Sequence, residues 1–191
     1  MLELQHDYTI DGECGPVSGA FRKHGVNLLS GALEWAHQLP YGRNSDRADY
    51  MLIFSEGCGT CSTKHAVLAA LCRENGIEAQ LQVAICKLDT ELDPNVASFL
   101  DGLGISFFPE AHCYLRYADR DIDVTFPDQP STLKAKVLQS FPIGPEQIGQ
   151  HKLTLHYEYL AHWLVEQKLD KRFTFDEVWR LREEWIASLS S

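Results

Sequence analysis

The stretch that decides the fold runs Glu56-Gly57-Cys58-Gly59-Thr60-Cys61 and continues over residues 62–75 as STKHAVLAALCREN. Its two glycines allow unusual backbone angles just before Cys61. The interior of the following segment is apolar on nearly every side, and Gly76 is well placed to end a helix. The sequence therefore predicts a helix that begins at Cys61 and lies buried in the middle of the fold.

Further helices and strands are predicted on both sides of this segment. Apolar residues recur at helical spacing from Leu28 to Leu39, before Pro40, and a short apolar run follows over residues 51–54. After the buried helix, the pattern predicts strands over residues 80–88, 113–117 and 122–126, and a short helix over residues 94–103. This mixture predicts an α+β domain in which the central helix packs on a small antiparallel sheet.

The last third of the chain is expected to be helical. The segment from Pro127 to Pro145 is expected to be rich in loops, with a short helix near residues 134–139. Two helices are predicted to close the chain, over about residues 145–168 and 175–189, and the last is amphipathic and expected to pack back on the core. A single domain is expected over residues 1–191, with these helices as an extension over about 145–189.

Composition and charge limit the partners and the location that can be expected for the protein. The net charge is −10, from 17 basic and 27 acidic residues, with no dense run of either sign. Nucleic acid and anionic membranes are therefore not expected as partners, because phosphate binding depends on clustered cations. Residues 1–10 lack the pattern of a secretory signal and no window is long and apolar enough to span a membrane. A cytoplasmic location is expected.

The six cysteines are expected to be free thiols, because such a location is reducing. Cys72, Cys86 and Cys113 lie in apolar or alternating segments and are interpreted as small buried hydrophobic residues. Cys61 is different, because the start of a helix favours a thiolate through free backbone N–H groups and the helix dipole. The same groups suit an oxyanion, with the amide of Cys61 as first donor and Asn44 or Tyr41 as candidates for the second.

A base for this thiol is predicted on the hairpin that follows. His112 shares a strand face with Tyr114 and Arg116, and Asp123 lies on the polar face of the next strand. A two-residue turn at 118–119 makes His112 a diagonal neighbour of Asp123, and a four-residue turn at 116–119 places them directly opposite. A turn of odd length would put them on opposite faces, so the length of the turn tests the prediction.

These residues resemble the transglutaminase-like superfamily of papain-type cysteine enzymes. The resemblance rests on Gly59-Thr60-Cys61 before a long apolar helix, on His112 and on Asp123-Val124-Thr125, and it covers about residues 28–127. It implies that Cys61 is the nucleophile, His112 the general base and Asp123 the acid that orients it. It also implies a papain-like core, with the closing helices outside it.

Several residues compete for these roles. Asp121 could replace Asp123, but its position near the turn favours an ion pair with Arg116. His65 lies one helical turn after Cys61 and is an alternative partner. Lys152 and His156 could line the cleft, although a solvated polar helix face is preferred for both.

Three other functions remain open. Cys58-Gly59-Thr60-Cys61 between a strand at residue 51 and a helix would suit a thioredoxin-like dithiol oxidoreductase. Cys58, Cys61, His65 and a later cysteine could hold structural zinc, although no second paired motif exists. A transglutaminase-like domain could also bind without catalysis.

The preferred function is cysteine-dependent acyl transfer, or hydrolysis of an amide or peptide, through a thioester on Cys61. A triad of Cys61, His112 and Asp123 would perform it on a peptide, protein or small amide substrate. No cofactor and no metal are expected.

Overall fold

The computed structural model describes residues 6–127 and 136–188. Helix α4 (Cys61–Glu74) lies at its centre, and twelve of its residues are buried, from Cys61 to Cys72. Helices α1 (Pro16–Lys23), α2 (Leu29–Gln38) and α3 (Ile53–Glu56) precede it in the chain. The helix predicted over residues 28–39 and the buried helix beginning at Cys61 are confirmed, and α1 is an additional helix that was not predicted.

A four-stranded antiparallel sheet packs against α4. Its strands are β1 (Ala79–Leu88), β2 (Phe108–Tyr117), β3 (Arg120–Ile122) and β4 (Val137–Ile143), and their order is β3-β2-β1-β4. Side chains of β1 and β2 that face α4 are buried in the main hydrophobic core, among them Val83, Ile85 and Leu115. The structure is therefore of the mixed α+β class with a small antiparallel sheet, as the sequence predicted.

The strand predicted over residues 122–126 is wrong in its position, because β3 ends at Ile122. The backbone N–H of Val124 donates to the ring of His65 at 2.9 Å, and that of Thr125 donates to the Asp123 carboxylate at 3.0 Å. The backbone N–H groups of Val124 and Thr125 are therefore bonded to side chains and are not available for hydrogen bonds to a neighbouring strand. Strand β2 also begins earlier than predicted, at Phe108.

The loop and short helix expected before Pro145 are also wrong where the structure can test them. Residues 137–143 form β4, which pairs with β1, while residues 134 and 135 lie outside the described residues. Pro142 within β4 obscured the strand in the sequence, and it is tolerated because β4 is an edge strand of the sheet.

The last helices form a second hydrophobic cluster with the segment after β1. Helices α5 (Ala97–Leu103), α6 (Gln150–Glu166) and α7 (Phe175–Ser188) contribute Leu100, Leu160 and Val178 to it. The three corresponding helix predictions are confirmed, as is the packing of α7 onto the rest of the structure. Among the described residues, no helix combines the length and apolar character needed to cross a membrane.

Candidate active site

The loop before α4 fixes the position of Cys61. The Gly42 N–H donates to the Gly59 carbonyl and the Gly59 N–H donates to the Pro40 carbonyl, both at 3.2 Å. The Thr60 N–H donates to Thr63 Oγ1 at 3.0 Å, which caps the start of the helix. Cys61 is the first residue of α4, so its own N–H has no acceptor within the helix. Its thiol therefore lies in the field of free backbone donors.

His112 and Asp123 meet across the hairpin. Tyr117 pairs with Arg120, which leaves a two-residue turn at positions 118 and 119, so the turn has the even length that the prediction required. His112 Nε2 lies 3.1 Å from Asp123 Oδ2. Thr125 Oγ1 donates to the other carboxylate oxygen of Asp123 at 2.6 Å. The carboxylate is thus held by one neighbour while it orients the imidazole.

The charges of Cys61, His112 and Asp123 stabilise one another. A hydrogen bond from Cys113 and, against the effect of burial, the charges of Lys152 and His112 hold the pKa of Cys61 well below its usual value. Burial opposes the charge on His112, but the Asp123 carboxylate and the Cys61 thiolate outweigh it and raise the pKa of His112 to about 10. The two pKa shifts both favour a thiolate beside an imidazolium over the neutral pair.

His112 interacts with both of these groups. Its Nε2 lies 3.1 Å from Asp123 Oδ2, and the charge of the Cys61 thiolate and a hydrogen bond with it also raise the pKa of the imidazole. The side chains of His112 and Asp123 are 20% and 10% exposed. The pKa of the Asp123 carboxyl is lowered because the His112 charge and hydrogen bond outweigh its burial. The three groups therefore form one chain of hydrogen bonds.

His65 has a structural position instead. Its Nδ1 lies 2.7 Å from the Cys61 carbonyl and its Nε2 accepts from the Val124 N–H at 2.9 Å. Both ring nitrogens are therefore occupied, and burial lowers the pKa of His65 despite the nearby Asp123 carboxylate. A neutral, fully bonded imidazole is unsuited to act as the base or as a zinc ligand. No group of three or more His, Cys, Asp and Glu side chains within the described ranges could hold a metal ion.

Lys152 of α6 contacts the thiol directly. Its Nζ donates to Ser62 Oγ at 2.7 Å and lies 3.8 Å from Cys61 Sγ. His156, one turn later, bonds the Pro109 carbonyl at 2.8 Å through Nε2. The interpretation of these two residues as a solvated polar face is therefore wrong. Their spacing of four residues was the available signal, but the sequence could not show which element that face meets.

Cys61 and Lys152 line a cavity of about 180 Å³. Its wall also contains Tyr41 and the charged side chains of Arg43, Arg47, Glu110 and Arg182. Arg182 pairs with Glu110 through two nitrogens, and Arg43 pairs with Glu183 at 2.8 Å. Helix α7 and the loop after Pro40 thus close the cavity together, and its wall carries more positive than negative charge.

Asn44 and Tyr41 differ in their ability to serve as a second oxyanion donor. Asn44 Nδ2 donates to Glu56 Oε2 at 2.9 Å and to the Cys58 carbonyl at 3.0 Å, so both of its amide protons are used. Tyr41 stacks on Phe126 with 4.9 Å between the ring centroids. Burial and the nearby Cys61 charge raise the pKa of Tyr41, so its hydroxyl keeps its proton. Of the two candidates, only Tyr41 retains a donor for the cavity.

Asp121 and Cys58 were alternatives for the carboxylate of the triad and for a dithiol site, and the structure gives each a different environment. Asp121 accepts from Arg116 Nε at 2.9 Å on the exposed side of the hairpin, which confirms the expected ion pair. The segment before Cys58 is helical, with a 3₁₀ turn at Tyr50–Leu52 followed by α3, and every strand pair in the described sheet is antiparallel. A thioredoxin-like fold requires a strand there, so the strand expected by that reading is wrong.

Comparison with known proteins supports the family resemblance that the sequence indicated. The model of the transglutaminase-like superfamily matches residues 29–119, slightly less than half of the 191 residues. The matched range contains Cys61 and His112, and it ends before Asp123 and before all of α6 and α7. No curated protein and no solved structure matches the chain. Residues 29–119 are therefore similar to the transglutaminase-like superfamily, a superfamily of papain-type cysteine enzymes.

Proposed function

We propose that this protein transfers an acyl group, or hydrolyses an amide, through a thioester on Cys61. One observation supports this most strongly: His112 contacts Asp123 at 3.1 Å beside a thiol whose pKa is lowered at the start of a buried helix. These are the features that an activated sulfur nucleophile requires. In this proposal Cys61 is the nucleophile, His112 transfers protons and Asp123 orients His112.

The first half of the reaction uses the proton already present on His112. The Cys61 thiolate attacks the carbonyl carbon of a peptide, protein or small amide, and the oxyanion accepts from the Cys61 N–H. The Tyr41 hydroxyl is the proposed second donor. As the C–N bond breaks, the His112 imidazolium gives its proton to the leaving amine, which leaves a thioester and a neutral imidazole.

The second half regenerates the ion pair. Neutral His112 takes a proton from water in hydrolysis, or from an acceptor amine in transfer, while the oxygen or nitrogen attacks the thioester carbonyl. The C–S bond then breaks and the sulfur leaves as the thiolate. The Lys152 ammonium, 3.8 Å from the sulfur, stabilises the charge that returns there.

An activated ester tests this proposal without knowledge of the natural substrate. The protein is mixed with p-nitrophenyl acetate, and the expected result is a burst of p-nitrophenol together with an acetyl group on Cys61 detected by mass spectrometry. Cys61→Ala should abolish the burst and His112→Ala should slow it strongly, whereas the matched control Cys58→Ser should keep it.

Other outcomes would support the competing functions. Loss of the burst in Cys58→Ser, with a reducible disulfide between residues 58 and 61 in the wild type, would favour a dithiol enzyme. A wild-type protein that shows no burst and no acetylation of Cys61 would contradict the thioester mechanism and favour a binding domain.

A further inference from the structure

A second thiol lies beside the proposed nucleophile. Cys113 Sγ lies 3.7 Å from Ser62 Oγ, and Cys61 Sγ lies 3.9 Å from the same oxygen. Both cysteines are free and buried in this structure. Ser62 thus brings two sulfurs of different elements, α4 and β2, to one point.

The two sulfurs differ in access and in charge. Cys61 lines the cavity beside the Lys152 ammonium, whereas Cys113 is fully buried on β2. The hydrogen bond that lowers the pKa of Cys61 raises that of Cys113, and burial raises the latter further. An oxidant that enters the cavity therefore meets a thiolate at Cys61 first, and a protonated thiol lies behind it.

The remaining cysteines are less suited to act as the partner of Cys61. Burial raises the pKa values of Cys72 and Cys86 to about 12, so they are protonated at neutral pH, and no hydrogen bond joins either to Cys61. Cys58 lies on the side of the loop that faces Gly42, where a Cβ added to Gly42 would come within 3.1 Å of its sulfur. It is absent from the wall of the cavity that Cys61 lines.

We propose that Cys61 is a site of reversible oxidation by hydroperoxides and that Cys113 is its resolving cysteine. The Cys61 thiolate attacks one peroxide oxygen, which breaks the O–O bond and yields a sulfenic acid and hydroxide. The Cys113 sulfur then attacks the sulfenic sulfur, a disulfide forms, and its proton leaves with the hydroxyl as water. The peroxide is the oxidant, each molecule accepts two electrons, and the disulfide removes the nucleophile until a thiol reductant restores it.

Peptide mapping of the wild-type protein tests the pairing directly. Trypsin produces peptide 48–64, which contains Cys58 and Cys61, and peptide 88–116, which contains Cys113 alone. After hydrogen peroxide treatment and digestion without reductant, these two peptides are expected to be joined by a disulfide. The joined pair should persist in Cys58→Ser, which identifies Cys61 as the partner. Peptide 48–64 with an internal disulfide, and no joined pair, would overturn the proposal.

A resolving-cysteine variant gives a second measurement. In the wild type, most of the iodoacetamide labelling of Cys61 lost to peroxide should return after treatment with dithiothreitol. In Cys113→Ala, dimedone should trap a sulfenic acid on Cys61, and continued exposure should give sulfinic acid that dithiothreitol does not reverse. Full recovery in Cys113→Ala would contradict the role of Cys113.

These readouts do not depend on acyl transfer. If the variant fails to fold, the wild-type peptide map still decides the proposal, because it needs no substitution at position 113. The peroxide result and the ester burst are also separable, since a protein without thioester chemistry could still form the disulfide, and the reverse also holds.

Discussion

His112 carries its positive charge because the Asp123 carboxylate and the Cys61 thiolate both stabilise it. With a pKa raised to about 10, His112 is charged across the neutral range, while the lowered pKa of Cys61 favours the ionised sulfur. The ion pair should therefore exist between the low pKa of Cys61 and the high pKa of His112. For an enzyme of the proposed kind, the profile of kcat/KM against pH would have its alkaline limb near pH 10.

Substitution of Asp123 tests this charge balance. Asp123→Asn removes the carboxylate that raises the pKa of His112, so the alkaline limb should move to lower pH. The amide also removes the preference for the productive tautomer, and kcat for ester hydrolysis should fall about 10³–10⁴-fold. The control Asp121→Asn, in the exposed ion pair with Arg116, should retain both the rate and the limb. An unchanged alkaline limb in Asp123→Asn would contradict the assigned role.

Lys152 should affect the acid limb of the pH profile, which depends on the pKa of Cys61. Lys152→Met removes an ammonium 3.8 Å from Cys61 Sγ, and the pKa of Cys61 should rise because the thiolate loses a stabilising charge. The acid limb of iodoacetamide alkylation and the pH at which the ultraviolet absorbance of the thiolate appears should both move to higher pH. Lys152→Arg should preserve most of the effect, and the exposed control Lys171→Met should change neither. Profiles of Lys152→Met and wild type that coincide would contradict this interpretation.

At the level of elements, α4 joins the two segments that flank the site. Lys64 is fully buried, and its Nζ donates to the Leu39 carbonyl at 2.5 Å and to the Thr125 carbonyl at 2.9 Å. His65, the next residue, holds the backbone of Val124. Burial lowers the pKa of Lys64 to about 8, in opposition to the nearby Asp123 charge. Two successive residues of α4 therefore align Cys61 with the Asp123 segment.

Removal of the Lys64 ammonium should loosen this alignment. Lys64→Met leaves the buried Thr125 carbonyl and the partly buried Leu39 carbonyl without their donor, at a cost of about 1–3 kcal/mol for a buried unsatisfied group. The free energy of unfolding, measured by urea denaturation, should fall by at least about 1 kcal/mol. Cys61 should also react more slowly with alkylating agents at low pH. The exposed control Lys23→Met should change stability by about 0.5 kcal/mol or less. Equal stability of Lys64→Met and wild type would contradict the proposed contacts.

At the level of the whole molecule, the cavity and the protein have charges of opposite sign. The net charge of the chain is −10, yet among the described residues the cavity wall contains Lys152, three arginines and one carboxylate, that of Glu110. Arg43 and Arg182 have acidic partners, whereas Arg47 has none among the described residues. The cavity should therefore favour anionic reagents.

Two alkylating agents of similar size measure this preference. Iodoacetate is anionic and iodoacetamide is neutral. The rate of Cys61 alkylation by iodoacetate divided by the rate with iodoacetamide should exceed the same ratio measured for a small free thiol. Arg47→Gln should reduce the ratio about two- to fivefold, as expected for an exposed charge worth roughly 0.5–1 kcal/mol, and added salt should reduce it too. The control Arg180→Gln lies on α7 in an exposed ion pair with Glu184 and should have no effect. A ratio equal to that of the free thiol would contradict the charge assignment.

The sequence by itself determined the parts that depend on local pattern. Continuous apolar character predicted that α4 is buried, the glycines placed Cys61 at its start, and the short even turn of the hairpin brought His112 within reach of Asp123. These features repeat over a few residues, so neighbours in the chain are enough to reveal them. The same reasoning failed at β4 and beyond Ile122, where edge position and side-chain bonds to the backbone decide the structure.

Only the tertiary structure decided which distant groups surround the thiol. Lys152 lies 91 positions after Cys61 and contacts its sulfur, and Cys113 shares Ser62 with it from another element. Both had been interpreted from local pattern alone, one as a solvated lysine and the other as a small buried residue. The chemistry of a side chain depends on the field of its neighbours in space, and packing of α6 and β2 against α4 sets that field.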